Sequence, residues 1–247
     1  MRVKNMAKLC RIDINTFQML AILFLLIGSG ISSGINGMSQ EFVTTRFMDA
    51  DDAETAIGMI RNEGKVVVTF CGYSGLGYQN PKRLNRIAEQ VLASLDPKRT
   101  IVNVGGTAVG IGQVYDVAKK MGFRTTGVVS ILAKQYPDGI SKNVDLVVYV
   151  KDDTWGGLIK DGELSETSKA VVECSDSLIG IGGGAVAGEE LSEALRCGKP
   201  VRFFTAEMNH ANAIKKAERK SQPVPTDFRG EAHRAMEANQ HLKIEHD

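Results

Sequence analysis

Residues Val66 to Leu84 read VVVTFCGYSGLGYQNPKRL. The stretch opens with apolar and β-branched residues, which are typical of a buried β-strand. A cluster of glycines follows, and a helix is predicted to begin near Pro81. This order of strand, glycine-rich turn and helix raises two questions: what the turn binds, and whether the protein acts chemically on it.

The same order recurs along the chain. Five more apolar runs have the length of strands, and most are separated by helical segments. They are TIVNV (100–104), RTTGVVSI (124–131), VDLVVYV (144–150), DSLIGI (176–181) and PVRFF (200–204). Apolar strands connected through helices are covered on both faces and form a parallel sheet. The sequence therefore predicts an α/β fold with a doubly wound parallel sheet, in a single domain from residue 38 to residue 247 with polar C-terminal helices.

The segment before the first strand has helical periodicity. The spacing of Phe42, Phe47, Ile57 and Ile60 predicts one short amphipathic helix between Phe42 and Asn62.

Residues 1–37 are predicted to be a leader, separate from the domain. A basic start, MRVKNMAKLCR, precedes the apolar run FQMLAILFLLIG, which is short for a membrane span. Three interpretations stay open: a secretory signal, a membrane anchor, or upstream sequence that is not translated because the protein starts at Met38.

Composition narrows the class of partner. The 247 residues include 30 basic and 29 acidic side chains, so no overall charge favours nucleic acid or a membrane surface. The four cysteines form no C-x-x-C pair, and one of them lies in the leader. We therefore expect reduced thiols in a cytoplasmic domain, with no disulfide framework, no metal and no bound cofactor.

Three glycine-rich turns are the strongest functional signal, because each follows a strand and precedes a helix. Such turns line up at the carboxyl edge of a parallel sheet, where backbone N–H groups and helix N-termini can bind an anion. None contains the G-x-x-x-x-G-K-[ST] pattern of a P-loop. The residues predicted to bind a ligand there are Gly72, Ser74, Gly75 and Gly77; Gly105, Gly106, Thr107 and Gly110; and Gly182, Gly183 and Gly184.

Two further segments at this edge allow more than one interpretation. Glu189 and Glu190, behind the third turn, either interact with the helix dipole or present a carboxylate to the ligand's ribose. Trp155 either stacks on a base or covers the core. Asp152 and Asp153 are adjacent carboxylates, which alone are weak evidence for Mg²⁺.

Three stretches match motifs of a known family. VTFCGYSG (68–75) is similar to an F-C-G-S-S-type turn and VNVGGTAVGIG (102–112) to a G-G-G-x-x-G-type turn. SDSLIGIGGGAVAGEELSEAL (175–195) is similar to a segment with the signature P-G-G-x-G-T-x-x-E. On these motifs, residues 65 to 205 resemble the LOG, or lysine-decarboxylase-like, family of the SLOG superfamily of Rossmann-like nucleotide-binding proteins. The chain departs from the pattern at Tyr73, Thr107, Gly182, Val186 and Ala187.

The resemblance implies a Rossmann-like fold, a homodimer and a nucleotide-type ligand. Glu190 keeps the acidic position of the signature, which makes it the catalytic residue if the chain is an enzyme. In the family's hydrolases an Arg-Lys pair lies on the preceding helix, but here Thr167 and Ser168 occupy those positions, with Lys169 adjacent.

Two functions follow from this comparison of residues. The favoured one is a sensor or carrier that binds a nucleotide or a nucleotide-derived small molecule. The alternative is a nucleoside 5′-monophosphate phosphoribohydrolase, which would release a base and requires a cation beside Glu190.

Overall fold

The computed structural model describes residues 44–239 and 244–245. Within them, one sheet contains eight strands, and every neighbouring pair is parallel. The strands are β1 (Arg46–Ala50), β2 (Val66–Gly72), β3 (Thr100–Val104), β4 (Arg124–Ser130), β5 (Leu146–Val150), β6 (Ser177–Ile181), β7 (Val201–Phe204) and β8 (Ile244–Glu245). The predicted α/β fold with a parallel sheet is confirmed.

Helices cover both faces of the sheet, so the fold is doubly wound as predicted. In the described residues they are α1 (Ala53–Arg61), α2 (Pro81–Leu92), α3 (Gln113–Lys120), α4 (Glu166–Cys174), α5 (Ala185–Arg196), α6 (His210–Arg219) and α7 (Gly230–Glu237). Helices α2 and α3 pack together on one face, and α1, α4, α5 and α7 pack in a row on the other.

Strand β2 shows why its sequence is almost continuously apolar. Val68 and Phe70 belong to the core beneath α2 and α3, whereas Val67 and Cys71 belong to the cores beneath the opposite helices. Successive side chains of a strand point to opposite faces, so both sets are buried. Burial of a side chain as large as Phe70 contributes roughly 2–3 kcal/mol, which ties the strand firmly to both layers.

The strand order places a crevice beside β2. Across the sheet the order is β1-β5-β4-β3-β2-β6-β7-β8, so the chain winds in one direction from β2 to β5 and returns to the other side of β2 with β6. Gly72 at the end of β2 is in register with Ile181 at the end of β6. A reversal of strand order opens a ligand crevice at the carboxyl ends of the two strands.

The start of the domain differs from the prediction of one helix between Phe42 and Asn62. Residues Arg46–Ala50 form the edge strand β1, paired with β5, and α1 begins only after Asp52. The Asp52 side chain accepts a hydrogen bond from Thr55 N at 2.8 Å, which caps the helix. The segment therefore forms two elements: residues Arg46–Ala50 pair with β5, and the cap at Asp52 starts the helix after them.

The leader prediction lies outside the described residues. Among residues 44–239 and 244–245, no helix combines the length and the apolar character that a membrane crossing requires.

Candidate ligand-binding site

Two cavities that share one wall open at the crevice beside β2. We call them the inner cavity, of about 480 Å³, and the basic cavity, of about 680 Å³. The shared wall consists of Gly72, Ser74, Gly75, Val186 and Ala187. The inner cavity is also lined by Cys71, Gly105, Thr107, Val109, Tyr136, Trp155, Thr167 and Glu190, among others, and the basic cavity by Tyr73, Leu76, Gly184, Ala185, Asn212, Lys215, Lys216 and Arg219.

Glu190 is a buried carboxyl group in the wall of the inner cavity. Its Oε1 accepts a hydrogen bond from Ser168 Oγ at 2.7 Å, and Cys71 Sγ donates to its Oε2 at 3.5 Å. Burial raises the pKa of Glu190 to about 7, although the hydrogen bonds from Ser168 and Cys71 oppose this rise. Near neutral pH the group therefore exists in both protonation states, so it can accept a hydrogen bond from a ligand or donate one.

The Cys71 thiol acts as a hydrogen-bond donor here. Burial raises its pKa well above the ordinary value, and the charge of Glu190 adds to the rise. Because only the thiolate is strongly nucleophilic, this arrangement favours a neutral thiol that orients Glu190 over a reactive cysteine.

Thr167 brings an unpaired hydroxyl to the same wall. Its backbone N–H donates to Asp152 Oδ2 at 2.9 Å, which fixes the first turn of α4. The side chain is only 6% exposed, and Oγ1 forms no hydrogen bond of normal geometry. Against the effect of burial, it still contributes weakly, after the Thr167 backbone N–H and Thr154, to lowering the pKa of Asp152. A buried hydroxyl without any partner costs roughly 1–3 kcal/mol, so a ligand group that forms a good hydrogen bond to Thr167 recovers part of this free energy.

Large apolar side chains form the mouth of the inner cavity. Tyr136 is 60% exposed and Trp155 57%, and their ring centroids lie 6.0 Å apart at an interplanar angle of 45°. Val109 and Val186, which also line the cavity, are exposed as well. Trp155 therefore does not cover the core; it lies where a flat ring entering the cavity would contact it.

Glu189 holds the loop that carries Trp155. Its Oε2 accepts a hydrogen bond from Leu158 N at 2.8 Å. Ser168 Oγ, from α4, accepts one from Gly157 N at 2.7 Å. Of the two neighbouring acids, Glu189 thus orders the loop after β5, and Glu190 lines the inner cavity.

Asp152 has a similar structural role. Its Oδ1 accepts a hydrogen bond from Thr154 N at 2.8 Å, and its Oδ2 bonds to the start of α4. In the part of the chain that the structure describes, no group of three or more His, Cys, Asp or Glu side chains has an arrangement that could hold a metal ion.

The basic cavity joins the start of α5 to one side of α6. Lys215, Lys216 and Arg219 line it from α6, opposite Gly184 and Ala185 at the start of α5. Helix α6 is attached to the glycine-rich segment between β2 and α2 (residues 73–80), which we call the β2 turn. Asn212 Nδ2 donates to Leu76 O at 2.9 Å, and Asn209 N donates to Gly77 O at 3.1 Å. The cationic side chains are thereby held next to the glycine turn.

Eight of the thirteen predicted site residues line one or both cavities. They are Gly72, Ser74, Gly75, Gly105, Thr107, Trp155, Gly184 and Glu190. The other five, Gly77, Gly106, Gly110, Gly182 and Gly183, line neither of them.

Packing explains three of these five glycines. Gly110, at φ +62°, lies against the backbone of the β2 turn, where a Cβ would overlap the carbonyl oxygens of Tyr73 and Ser74. Gly182 has φ +54° and lies against the Tyr73 ring, and Gly183 has φ +136° and packs against Ala187 and Ala232. Positive φ and contact with backbone both require glycine at such positions.

Five side chains that the site offers to a ligand did not emerge as ligand contacts from the sequence: Tyr136, Thr167, Lys215, Lys216 and Arg219. The K-K-x-x-R spacing in α6 does place three cations on adjoining faces of one helix. The position of α6 could not be predicted, because no local sequence pattern shows that Lys216 lies near Ser74 in the folded chain.

No protein-family model matches the chain, and no curated protein does. Similar solved structures include the Moco carrier protein from Chlamydomonas reinhardtii, at 22% identity and a TM-score of 0.40, with 56% of this chain and 75% of that chain covered. The molybdenum cofactor binding protein from Rippkaea orientalis has 20% identity and a TM-score of 0.43, with coverage of 65% and 87%. DNA processing protein A from Streptococcus pneumoniae has 13% identity and a TM-score of 0.41, with coverage of 72% and 63%.

Proposed function

We propose that the chain binds a nucleotide or a nucleotide-derived small molecule at the carboxyl edge of its sheet, as a carrier or sensor. The observation that carries this proposal is the convergence of Thr167, Glu190, Tyr136 and Trp155 on the inner cavity. Together they offer a buried hydroxyl without a partner, a carboxyl group that can accept or donate, and two exposed aromatic rings. An apolar cleft with a few convergent polar groups is the usual form of a small-molecule site.

The two ends of a nucleotide match the two cavities. A base fits between the aromatic mouth and the polar wall of the inner cavity, where Thr167 and Glu190 can bond to its edge or to a ribose hydroxyl. A phosphate fits at the shared wall, where the backbone of Ser74 and Gly75 lies next to the first turn of α5. Backbone N–H groups and a helix N-terminus together favour an anion.

The phosphoribohydrolase remains the second candidate, because Glu190 faces the inner cavity and its pKa of about 7 suits proton transfer near neutral pH. The charges around Glu190 argue against this candidate, because the hydrolase requires a cation there. None of the described residues that line the inner cavity is a lysine or an arginine. Lys169 does not substitute, because it lines a separate cavity together with Lys151 and Asp153. Binding without turnover accounts better for these side chains.

A ligand screen tests the proposal. The full chain is heated with AMP, ADP, ATP, GMP, GTP, NAD⁺ and cyclic nucleotides, and also with the molybdenum cofactor, for which two of the similar structures are named. At a tenfold excess over its dissociation constant, a ligand stabilises the folded state by roughly 1.4 kcal/mol, which gives a measurable rise in Tm. If none of these compounds shifts Tm at millimolar concentration, the proposed binding function is wrong.

The same samples separate the two candidates. We expect chromatography of the monophosphate mixtures to show no free base above the level of a protein-free control. Release of base by the wild type, abolished in Glu190→Gln, would instead establish the hydrolase.

Three further proposals rest on the sequence, and the third of them on its resemblance to the LOG family. We propose a domain from residue 38 to residue 247, a cytoplasmic location and a homodimer. N-terminal sequencing of the native protein tests the first two, because a processed N-terminus on exported protein would contradict them. Sedimentation analysis of the purified chain tests the third.

A further inference from the structure

The basic cavity has more positive charge than a single phosphate requires. Lys215, Lys216 and Arg219 all line it, and none of them forms an ion pair within the described residues. Like charges three and four residues apart on a helix repel each other, so this arrangement is unfavourable without an anion. The cluster is therefore suited to bind an anionic group in the cavity.

The opposite side of the basic cavity also favours an anion. Helix α5 is 12 residues long, and its N-cap, Gly184, has no side chain to accept hydrogen bonds from the first turn. No acidic residue of α5 lies in that turn. The first N–H groups of α5 are thus available to an oxyanion, with the partial positive charge of the helix N-terminus behind them.

One acid from another helix lies near this end. A Cβ added to Gly184 would lie 3.7 Å from Glu231 Oε2, although the carboxylate of Glu231 is also 3.6 Å from Arg234. Glu231 therefore weakens the attraction for an anion without cancelling three cations. Its effect has the opposite sign to theirs, which makes it useful in the test.

Independent evidence for a ligand comes from the adjoining inner cavity. Thr167 Oγ1 is buried without a hydrogen-bond partner in the wall of that cavity, as described above. The two cavities share five wall residues, so one molecule can reach both the unpaired hydroxyl and the cations of α6.

We propose that the ligand carries a chain of at least two phosphates, with the second phosphate held in the basic cavity by Lys215, Lys216 and Arg219. This inference rests on the proposed function and narrows it to nucleoside diphosphates, nucleoside triphosphates and other molecules with a diphosphate group. The shared wall holds the first phosphate through backbone N–H groups, and α6 supplies the charge for the next. A nucleoside monophosphate leaves the three cations without an anion.

Titration calorimetry of the full chain with AMP, ADP and ATP tests this inference. We expect ADP and ATP to bind at least about tenfold more tightly than AMP, the ratio that one or two charge-assisted hydrogen bonds supply. The triple variant Lys215→Gln, Lys216→Gln, Arg219→Gln should lose this ratio and bind AMP within about twofold of the wild type. The altered side chains are exposed, so circular dichroism should show an unchanged fold.

Two further variants control for nonspecific charge effects. Lys220→Gln removes a cation that is next along the chain but does not line the cavity, so ADP affinity should stay within about twofold of the wild type. Glu231→Gln removes the opposing charge and should strengthen ADP binding about twofold to threefold.

The outcomes separate the two proposals. If AMP binds as tightly as ADP, and the triple variant binds both like the wild type, the diphosphate inference is wrong and the binding function stands. If the triple variant instead loses affinity for a single-stranded oligonucleotide while its ADP affinity is unchanged, the cations serve nucleic acid and the inference is overturned. If no nucleotide binds the wild type, both proposals fall.

Discussion

The inner cavity and the basic cavity share a wall but differ in the residues that complete them. The polar wall of the inner cavity is formed by buried side chains of α4 and α5, such as Thr167 and Glu190. The basic cavity is completed by long, exposed side chains from α6, such as Lys215 and Arg219. Buried polar groups discriminate between ligands by hydrogen bonding, whereas exposed cations attract any anion and are screened by salt. We infer that the inner cavity selects the ligand and the basic cavity strengthens its binding.

The largest expected effect is on stability, and it tests whether the β2 turn supports both cavities. Gly110→Ala should lower the free energy of unfolding by about 3–5 kcal/mol, because the new Cβ overlaps backbone oxygens of the β2 turn and the residue has φ +62°. Ligand contacts in both cavities should weaken together, since Tyr73 and Ser74 belong to the displaced turn. Chemical denaturation and calorimetry measure the two effects.

Gly75→Ala is the matched control for that substitution. A Cβ at Gly75 meets no atom within 4 Å, so stability should change by less than about 0.5 kcal/mol. Equal destabilisation of the two variants would contradict the structural role of Gly110.

A smaller effect concerns the pH dependence of stability, to which Glu190 in the inner cavity contributes. The pKa of Glu190 is raised from 4.5 to about 7, so the folded state binds a proton that the unfolded state releases. The resulting stabilisation, of roughly 3 kcal/mol, is fully present below pH 4.5 and is lost as the pH rises through 7. Glu190→Gln should remove this part of the pH dependence of unfolding, measured by urea denaturation between these two values.

The pH dependence of ligand affinity also distinguishes the two cavities. A change in affinity near pH 7 should disappear in Glu190→Gln but persist in the triple variant of α6. Persistence in both would place the titrating group outside the inner cavity.

The smallest expected effect concerns one hydroxyl. Thr167→Val keeps the shape of the side chain but removes Oγ1, so ligand affinity should fall about tenfold. The free protein should be as stable as the wild type or slightly more stable, because the lost group is buried without a partner. Calorimetry and thermal unfolding measure the two quantities.

Thr167→Ser is the control, since it keeps the hydroxyl and should bind within about threefold of the wild type. Loss of stability in Thr167→Val without loss of affinity would mean that the hydroxyl serves the fold rather than the ligand.

Local patterns were sufficient to predict six of the eight strands, β2 to β7, but neither edge strand, β1 or β8. Five apolar runs besides β2 became parallel strands with only small changes at their ends, because strands buried on both faces must be almost continuously apolar. A larger error, a single helix predicted between Phe42 and Asn62, arose where periodicity was weak. There the edge pairing of β1 with β5 and the cap at Asp52 decided the structure.

The glycines of the site show what local patterns cannot predict. The sequence located the turns that reach the carboxyl edge, and Gly72, Ser74, Gly75, Gly105 and Gly184 do line the cavities. It could not distinguish them from Gly110, which is required by a neighbouring loop. That distinction depends on which backbone segments come close in space, and spacing along the chain does not record it.

The sequence by itself thus determined six parallel strands, the helices between them and the sheet edge at which the glycine-rich turns lie, because hydrophobic periodicity and glycine-rich turns act over a few residues. Only the tertiary structure decided that Glu190 faces a cavity while Glu189 holds a loop, and that the cations of α6 lie beside the β2 turn. These outcomes depend on how helices from distant parts of the chain pack around the crevice at β2. Packing of that kind is set by the whole fold and not by neighbouring residues.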